Sequence, residues 1–264
     1  MPINQPNLKL IGVTYVLNHP PLVLVLALLL QWIAAYAGEL LRRRRRSGVP
    51  ASSDAKVDPS IIVSASLTLL ALIIGFCFAM AIDRYDQRKN YEEAEANAIG
   101  TEYLRVHLVP GSARVRELLT KYTEERIRYY RTRDEAELTR IAGDTTKLQN
   151  DLWAAVEPPG QAQPNPIVAL VINGMNDVLN SQGYTQAAWR NRVPPGAWIL
   201  MILVAISSNL LHGYSERRGI MLLVLPLIVS IPLYLIADMD SPRGGIIKVV
   251  PQNLLSLQQS FGSP

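Results

Sequence analysis

Asp238 and Asp240, either side of Met239 just after an apolar run, come nearer than any other residues to a metal-ligand arrangement. They could offer oxygens to a cation, but calcium takes about six to eight oxygen ligands and two carboxylates are few. A turn at a helix end, with Arg243 pairing an aspartate, explains them more simply. His19, His107 and His212 are scattered, with no H-E-x-x-H and no cysteine partners, so the sequence does not point to zinc. There is no phosphate-cradling glycine loop, no G-x-S-x-G and no EF-hand loop. No metal, cofactor or catalytic residue is expected, and the chain does not read as an enzyme. A different pattern is more informative. Phe76, Asp83, Asn90 and Asn97 recur every seven residues and so fall on nearly one line of a helix. Leu72, Met80, Asp86, Gln87, Glu93 and Ala94 flank that line.

The element that must position these residues begins in an apolar run. Residues 61–82 contain no charge and no proline, and 22 residues of helix span about 33 Å, enough to cross a bilayer. The run passes directly into Asp83-Arg84-Tyr85-Asp86-Gln87-Arg88 and then into good helix formers, with no breaker before Pro110-Gly111. One long helix is predicted, crossing the membrane and projecting beyond it, as suits a pore, a stalk or a signalling rod. Hydrophobic residues make up 49% of 264, an ordinary proportion, so their clustering carries the information. Four blocks qualify as spans: residues 22–41, 61–82, 196–214 and 219–237. The expected organisation is an N-terminal interfacial segment (1–21), a first transmembrane hairpin (22–82), a helical extramembrane domain (83–195), a second hairpin (196–238) and a C-terminal tail (239–264). The fold class is an all-α membrane protein with four transmembrane helices and a helical domain inserted between the two hairpins.

Arg42, Arg43, Arg44, Arg45 and Arg46 supply five positive charges in a row to a chain of net charge +4. They follow the first span as a stop signal does, which argues for an uncleaved transmembrane helix although Ala35-Tyr36-Ala37 resembles a cleavage site. They act chiefly in setting topology, and they suit contact with anionic lipid. The single cysteine, Cys77, lies in the second span and reads as small apolar packing.

Between the hairpins, Pro110-Gly111, Pro158-Pro159-Gly160 and Pro164-Asn165-Pro166 divide the sequence into helical segments. Residues 112–131 carry Val115, Leu118, Leu119, Tyr122 and Ile127. Residues 135–157 carry Leu138, Ile141, Leu148, Leu152 and Val156. Residues 167–192 carry Leu170, Val171, Gly174, Met175, Val178 and Leu179. Each is an apolar stripe at helical spacing that must be buried. Strand signals are absent, and Pro194-Pro195 marks the return to the membrane.

Several stretches together carry a family likeness. Leu69-Leu70-Ala71-Leu72-Ile73-Ile74-Gly75-Phe76, followed by Asp83-Arg84-Tyr85-Asp86-Gln87-Arg88, resembles the second helix of bestrophins. The match is closer to the bestrophin-like domain family of bacterial membrane proteins. That family also shows Glu95-Ala96-Asn97-Ala98-Ile99-Gly100, Arg190-Asn191-Arg192-Val193-Pro194-Pro195 and the closing Asp238-Met239-Asp240-Ser241-Pro242-Arg243-Gly244-Gly245-Ile246-Ile247. These segments stand in family order from about residue 22 to 260. The resemblance implies a homopentamer in the bacterial inner membrane, with the second helix lining a narrow, passively conducting ion pore. Leu72 and Phe76 fall where bestrophins keep their hydrophobic neck, with Met80 beside them; Thr68, one turn earlier, departs from that pattern.

If this face meets a five-fold axis, Leu72, Phe76 and Met80 form an apolar collar, and Asp83, Asp86, Asn90, Glu93 and Asn97 line a vestibule. Hydrophobic constrictions gate by dewetting, and carboxylate rings favour cations, so anion selectivity is not simply imported. The alternative is that Phe76 packs against a neighbouring helix and Asp83 caps or pairs with Arg84 or Arg88. Function divides in the same way. The chain is either a homo-oligomeric channel of unresolved charge selectivity or a non-conducting scaffold or sensor whose helical domain binds a ligand or partner. Its partners are membrane lipids, other copies of itself and inorganic ions, with no nucleic acid. The concentrated arginines place the short loops, which also carry Arg217 and Arg218, in the cytoplasm. Bestrophins place the middle domain there instead.

Overall fold

The computed structural model describes residues 15–46, 59–162, 165–215 and 220–261. Residues 1–14 of the expected interfacial segment, the first loop at 47–58 and the second loop at 216–219, with Arg217 and Arg218, lie outside them. Among the described residues there is no strand. The elements are α1 (Pro20–Arg46), α2 (Pro59–Arg105), a 3-10 turn (Val106–Leu108), α3 (Ala113–Arg131), α4 (Glu135–Ala162), α5 (Pro166–Arg190), α6 (Pro195–Ser215), α7 (Met221–Asp240) and α8 (Gln252–Ser260). Four helical stretches among the described residues are long and apolar enough to cross a membrane: Pro20–Arg44, Ser60–Leu108, Pro166–Ser215 and Leu222–Asp240. Helix α2 is continuous, as its lack of interior proline permits, and ends at Arg105; after the 3-10 turn Gly111 takes φ +78° where the chain reverses.

The chain divides into two compact units. The first holds Met1–Arg84 and Arg192–Lys248. Here α1 and α6 approach so closely that glycine is required at the contact. A Cβ on Gly38 would stand 2.0 Å from the Leu210 carbonyl oxygen, and one on Gly213 would stand 1.9 Å from that of Ala35. Lipid tails are as apolar as leucine, so membrane helices are held by close packing and interhelical hydrogen bonds. Both are present. Gln31 donates to the Ser230 hydroxyl at 2.9 Å, and Asn209 donates to the Gln31 side-chain oxygen at 3.0 Å, tying α1, α6 and α7 through buried polar groups.

The second unit holds Tyr85–Asn191 and Val249–Pro264. Its core gathers Ile99, Leu119, Tyr122, Leu152, Met175 and Leu254. The stripe read on 112–131 is buried at all five positions, whereas Leu170 of α5 is exposed. Helix α4 runs on to Ala162, past the Pro158-Pro159-Gly160 expected to end it. Proline's fixed φ of about −65° is itself helical, and so near the helix end only the last turn bears the missing donors. Helix α5 starts at Pro166, one residue before the expected segment: the Asn165 side-chain oxygen accepts the Val168 N–H at 2.9 Å, with Pro166 in the first helical position. It stops at Arg190, two residues short of the expected end.

The inner face of α2 explains that stop and organises the unit. Arg88, 1% exposed, donates to the carbonyls of Ala188 and Asn191 and so caps the C-terminus of α5. One turn on, Glu92 accepts from the Leu254 N–H at 2.9 Å and the Asn253 side chain at 2.6 Å. It thus caps α8, whose own N-cap is the non-capping Pro251. Burial raises the Glu92 carboxyl above the usual carboxylate range, while these donors pull it back. Next comes Glu95, fully buried, which pairs with Arg126 of α3 and accepts from Thr185 of α5 at 3.0 Å and from Tyr130 at 3.4 Å.

Two outcomes follow. Gly213→Val pushes a branched side chain into the α1 backbone and should destabilise the first unit by at least about 1–3 kcal/mol, read as a lower melting temperature in detergent. Arg126→Met leaves Glu95 buried without its partner and should cost about 3–5 kcal/mol; adding Glu95→Gln should recover much of the loss, because the uncompensated charge is then gone.

Candidate functional site

Helix α2 has a second face, opposite the one that builds the unit around it. Leu70, Cys77, Ala81, Arg88, Glu92 and Glu95 are turned inward. The residues singled out by their spacing of seven are turned outward. Leu72 is 55% and Phe76 63% exposed, and Met80 is half-buried. The Asp83 side chain is 64% exposed, and Asp86, Asn90, Glu93 and Asn97 are exposed as well. The same helix thus presents apolar side chains over its membrane-crossing half and then three carboxylates and two amides.

Phe76 is therefore no part of this chain's own core. Asp83 lies 3.9 Å from Arg84, while Arg88 is committed to the end of α5. The departure at Thr68 has a local solution, since its hydroxyl donates to the Ser64 carbonyl at 2.9 Å and satisfies itself inside the helix. Towards the start of the span the exposed positions include the small residues Ser64, Ala65, Thr68, Ala71, Gly75 and Ala79 alongside Ile61, Ile62 and Leu69. Nothing lies within 4 Å of where a Gly75 side chain would begin.

The arginine run is anchored at one end. Glu39 accepts from Arg43 at 2.6 Å and lies 3.9 Å from Arg42. Arg44 is exposed, and the side chains of Arg45 and Arg46 fall outside the described residues.

The aspartates after the last span belong to a turn. The two Asp238 oxygens accept the N–H groups of Ile246 and Ile247, each at 2.8 Å, and Asp240 accepts the Val193 N–H at 2.8 Å. Gly244 and Gly245 permit this fold-back: Cβ atoms there would meet the carbonyls of Asn18 at 1.8 Å and Asp238 at 2.6 Å. The carboxylates are thus already engaged by backbone donors. Among the described residues no three His, Cys, Asp or Glu side chains converge as metal ligands would.

Sequence reasoning singled out the outer face but not the inner one. Arg88, Glu92 and Glu95 continue the line of Leu70 and Cys77 at helical spacing, and that alignment was the available signal. Helix α8 was also missed, being only nine residues long and weakly patterned.

The geometry matches known proteins. The Bestrophin-like domain family matches residues 26–254. The fold is similar to the crystal structure of a bacterial Bestrophin homolog from Klebsiella pneumoniae phased on zinc, with TM-score 0.60 and 14% identity over 90% of this chain and 97% of that one. A point variant of the Klebsiella homolog gives TM-score 0.65 and 13% identity, covering 91% of this chain and 99% of that one. At such identities the likeness is one of fold. No curated protein matches the chain by sequence. With most of its length matched and its four apolar stretches arranged in the bestrophin fold, this chain belongs to the Bestrophin-like domain family of integral membrane proteins.

Proposed function

We propose that the protein is a homo-oligomeric ion channel, pentameric by its resemblance to bestrophins and resident in the bacterial inner membrane. Helix α2 lines the path. Leu72, Phe76 and Met80 form its neck, and Asp83, Asp86, Asn90, Glu93 and Asn97 line its vestibule. The observation that carries this reading is the outer face of α2. It runs from apolar to acidic along one helix and stands uncovered in the single chain, although the opposite face is filled at every turn.

Other copies of the chain are the natural cover for such a face. The small residues Ser64, Ala65, Thr68, Ala71, Gly75 and Ala79 let helix backbones approach one another, the usual basis of helix association in lipid. A ring of phenylalanines then supplies an apolar constriction that closes by dewetting, and the carboxylates beyond it set the field that an ion meets. No chemical step is asked of any residue. The arginines that end α1 sit at a membrane surface, where each attracts anionic lipid by about 1 kcal/mol.

The test is current across a planar bilayer from the purified, reconstituted protein in asymmetric potassium chloride, with Phe76→Ala alongside. The expected result is a wild-type conductance that rises in the variant with little loss of stability, because Phe76 leaves no internal cavity behind. The reversal potential reads the lining: a value near that of potassium places the carboxylates at the path, and a value near that of chloride turns them away from it. Silence from both proteins would sink the channel reading.

A further inference from the structure

Each polar residue on the inner face of α2 that has been described docks another element: Arg88 holds the end of α5, Glu92 the start of α8, and Glu95 both α3 and α5. Glu102, two turns beyond Glu95, docks nothing. It is 0% exposed, and neither carboxyl oxygen has a hydrogen-bond partner among the described residues. It faces α5 at Gly174, where a Cβ would stand 1.9 Å from its Oε2 and 2.5 Å from Nη1 of Arg105. Glycine is thus required for the carboxyl to lie where it does.

The charged groups that face Glu102 are few. Arg105, on its own helix, is half-buried and reaches towards the same glycine without forming an ion pair to it. Asp177 of α5 is exposed and repels the carboxylate. Helix α8, whose Leu257 touches the position of Gly100, has no ionisable side chain between Gln252 and Ser260.

We propose that Glu102 is a proton-binding latch, whose neutral carboxyl lets the last turns of α2 lie against Gly174 of α5 and whose ionisation loosens that contact. A buried carboxylate without a partner is among the costliest groups in a fold, whereas the protonated acid is tolerated. Burial pushes the Glu102 carboxyl up to about 8; Arg105 opposes the shift and Asp177 adds to it. The sign follows from proton linkage. Between the ordinary carboxylate range and about pH 8 the folded contact holds a proton that the opened segment has lost, so the contact weakens as pH rises through that window. Once ionised, Glu102 must draw in Arg105, whose Nη1 lies against the same glycine, or water, and either rearrangement disturbs its seat on Gly174. Neither the latch nor its test depends on ion conduction.

Two measurements on the reconstituted full chain decide it. The first is amide hydrogen exchange in the segments around Glu102 and Gly174, corrected for intrinsic rates, from about pH 6 to about pH 9. Wild type should open more readily by up to about tenfold per pH unit, levelling off near the top of the range, while Glu102→Gln should show no such slope. The second is the infrared carboxylic-acid carbonyl band, which needs no variant to fold. A band present at neutral pH should disappear as the wild type is titrated through about pH 8. Equal pH slopes in wild type and Glu102→Gln, or absence of a protonated-acid band at neutral pH, would overturn the proposal.

Discussion

A charge withdrawn from water must be matched or neutralised, and the second unit is built around that constraint. The inner face of α2 carries Arg88, Glu92, Glu95 and Glu102 into the interior, each at most 1% exposed. Three of them are matched by other elements, and every match fixes the position of a helix. The guanidinium of Arg88 meets carbonyls at the negative end of α5, and the carboxylate of Glu92 meets N–H groups at the positive end of α8. Glu95 is compensated by a full charge on Arg126, whose guanidinium also stacks 4.5 Å from the Tyr129 ring centre. Such interactions add little net stability compared with an apolar core of the same shape, but their geometry is demanding, and they fix which helix end sits where.

The first unit answers a different constraint. In lipid there is no hydrophobic gain from pressing one apolar helix on another, so closeness of backbones and buried hydrogen bonds decide the arrangement. Gly38 and Gly213 supply the closeness, and Gln31, Asn209 and Ser230 supply the bonds. Leucines and isoleucines such as Leu29, Ile33, Leu203 and Ile228 stay outward, where lipid is their solvent. The turn after α7 repeats the logic with backbone donors: Asp238 and Asp240 are consumed in holding the chain as it folds back, which is why an acidic pair there need not imply a cation.

What was legible in the sequence follows from how strong each local signal is. An uncharged run of some twenty residues has few physical alternatives to a membrane helix, so all four spans could be read, and a breaker-free continuation made α2 readable as one element. That Phe76 and Asp83 share one line of α2 could be read from spacing, whereas the side to which that line turns could not. The partners of Arg88, Glu92 and Glu95 could not, because pairings such as Glu95 with Arg126 and Glu92 with Leu254 join residues far apart in sequence. Charges on a helix ordinarily mark its solvated face, and on α2 they stand on both faces, Asp83, Asp86 and Glu93 exposed and Arg88, Glu92 and Glu95 buried. The end of α4 was misplaced because proline was read as a stop, although its φ also suits a helix's last turn.

These features converge on α2, which spends one face on holding its own chain together and keeps the other, apolar and then acidic, uncovered. The central claim is that the uncovered face meets the same face of other copies around a common axis. The most direct measurement is a cryo-electron microscopy structure of the protein assembled in lipid nanodiscs. The account predicts a ring of copies with Phe76, Asp83, Asn90 and Asn97 of each α2 facing the axis. A ring whose axis is lined by another helix, or a single copy whose Phe76 faces lipid, would contradict it.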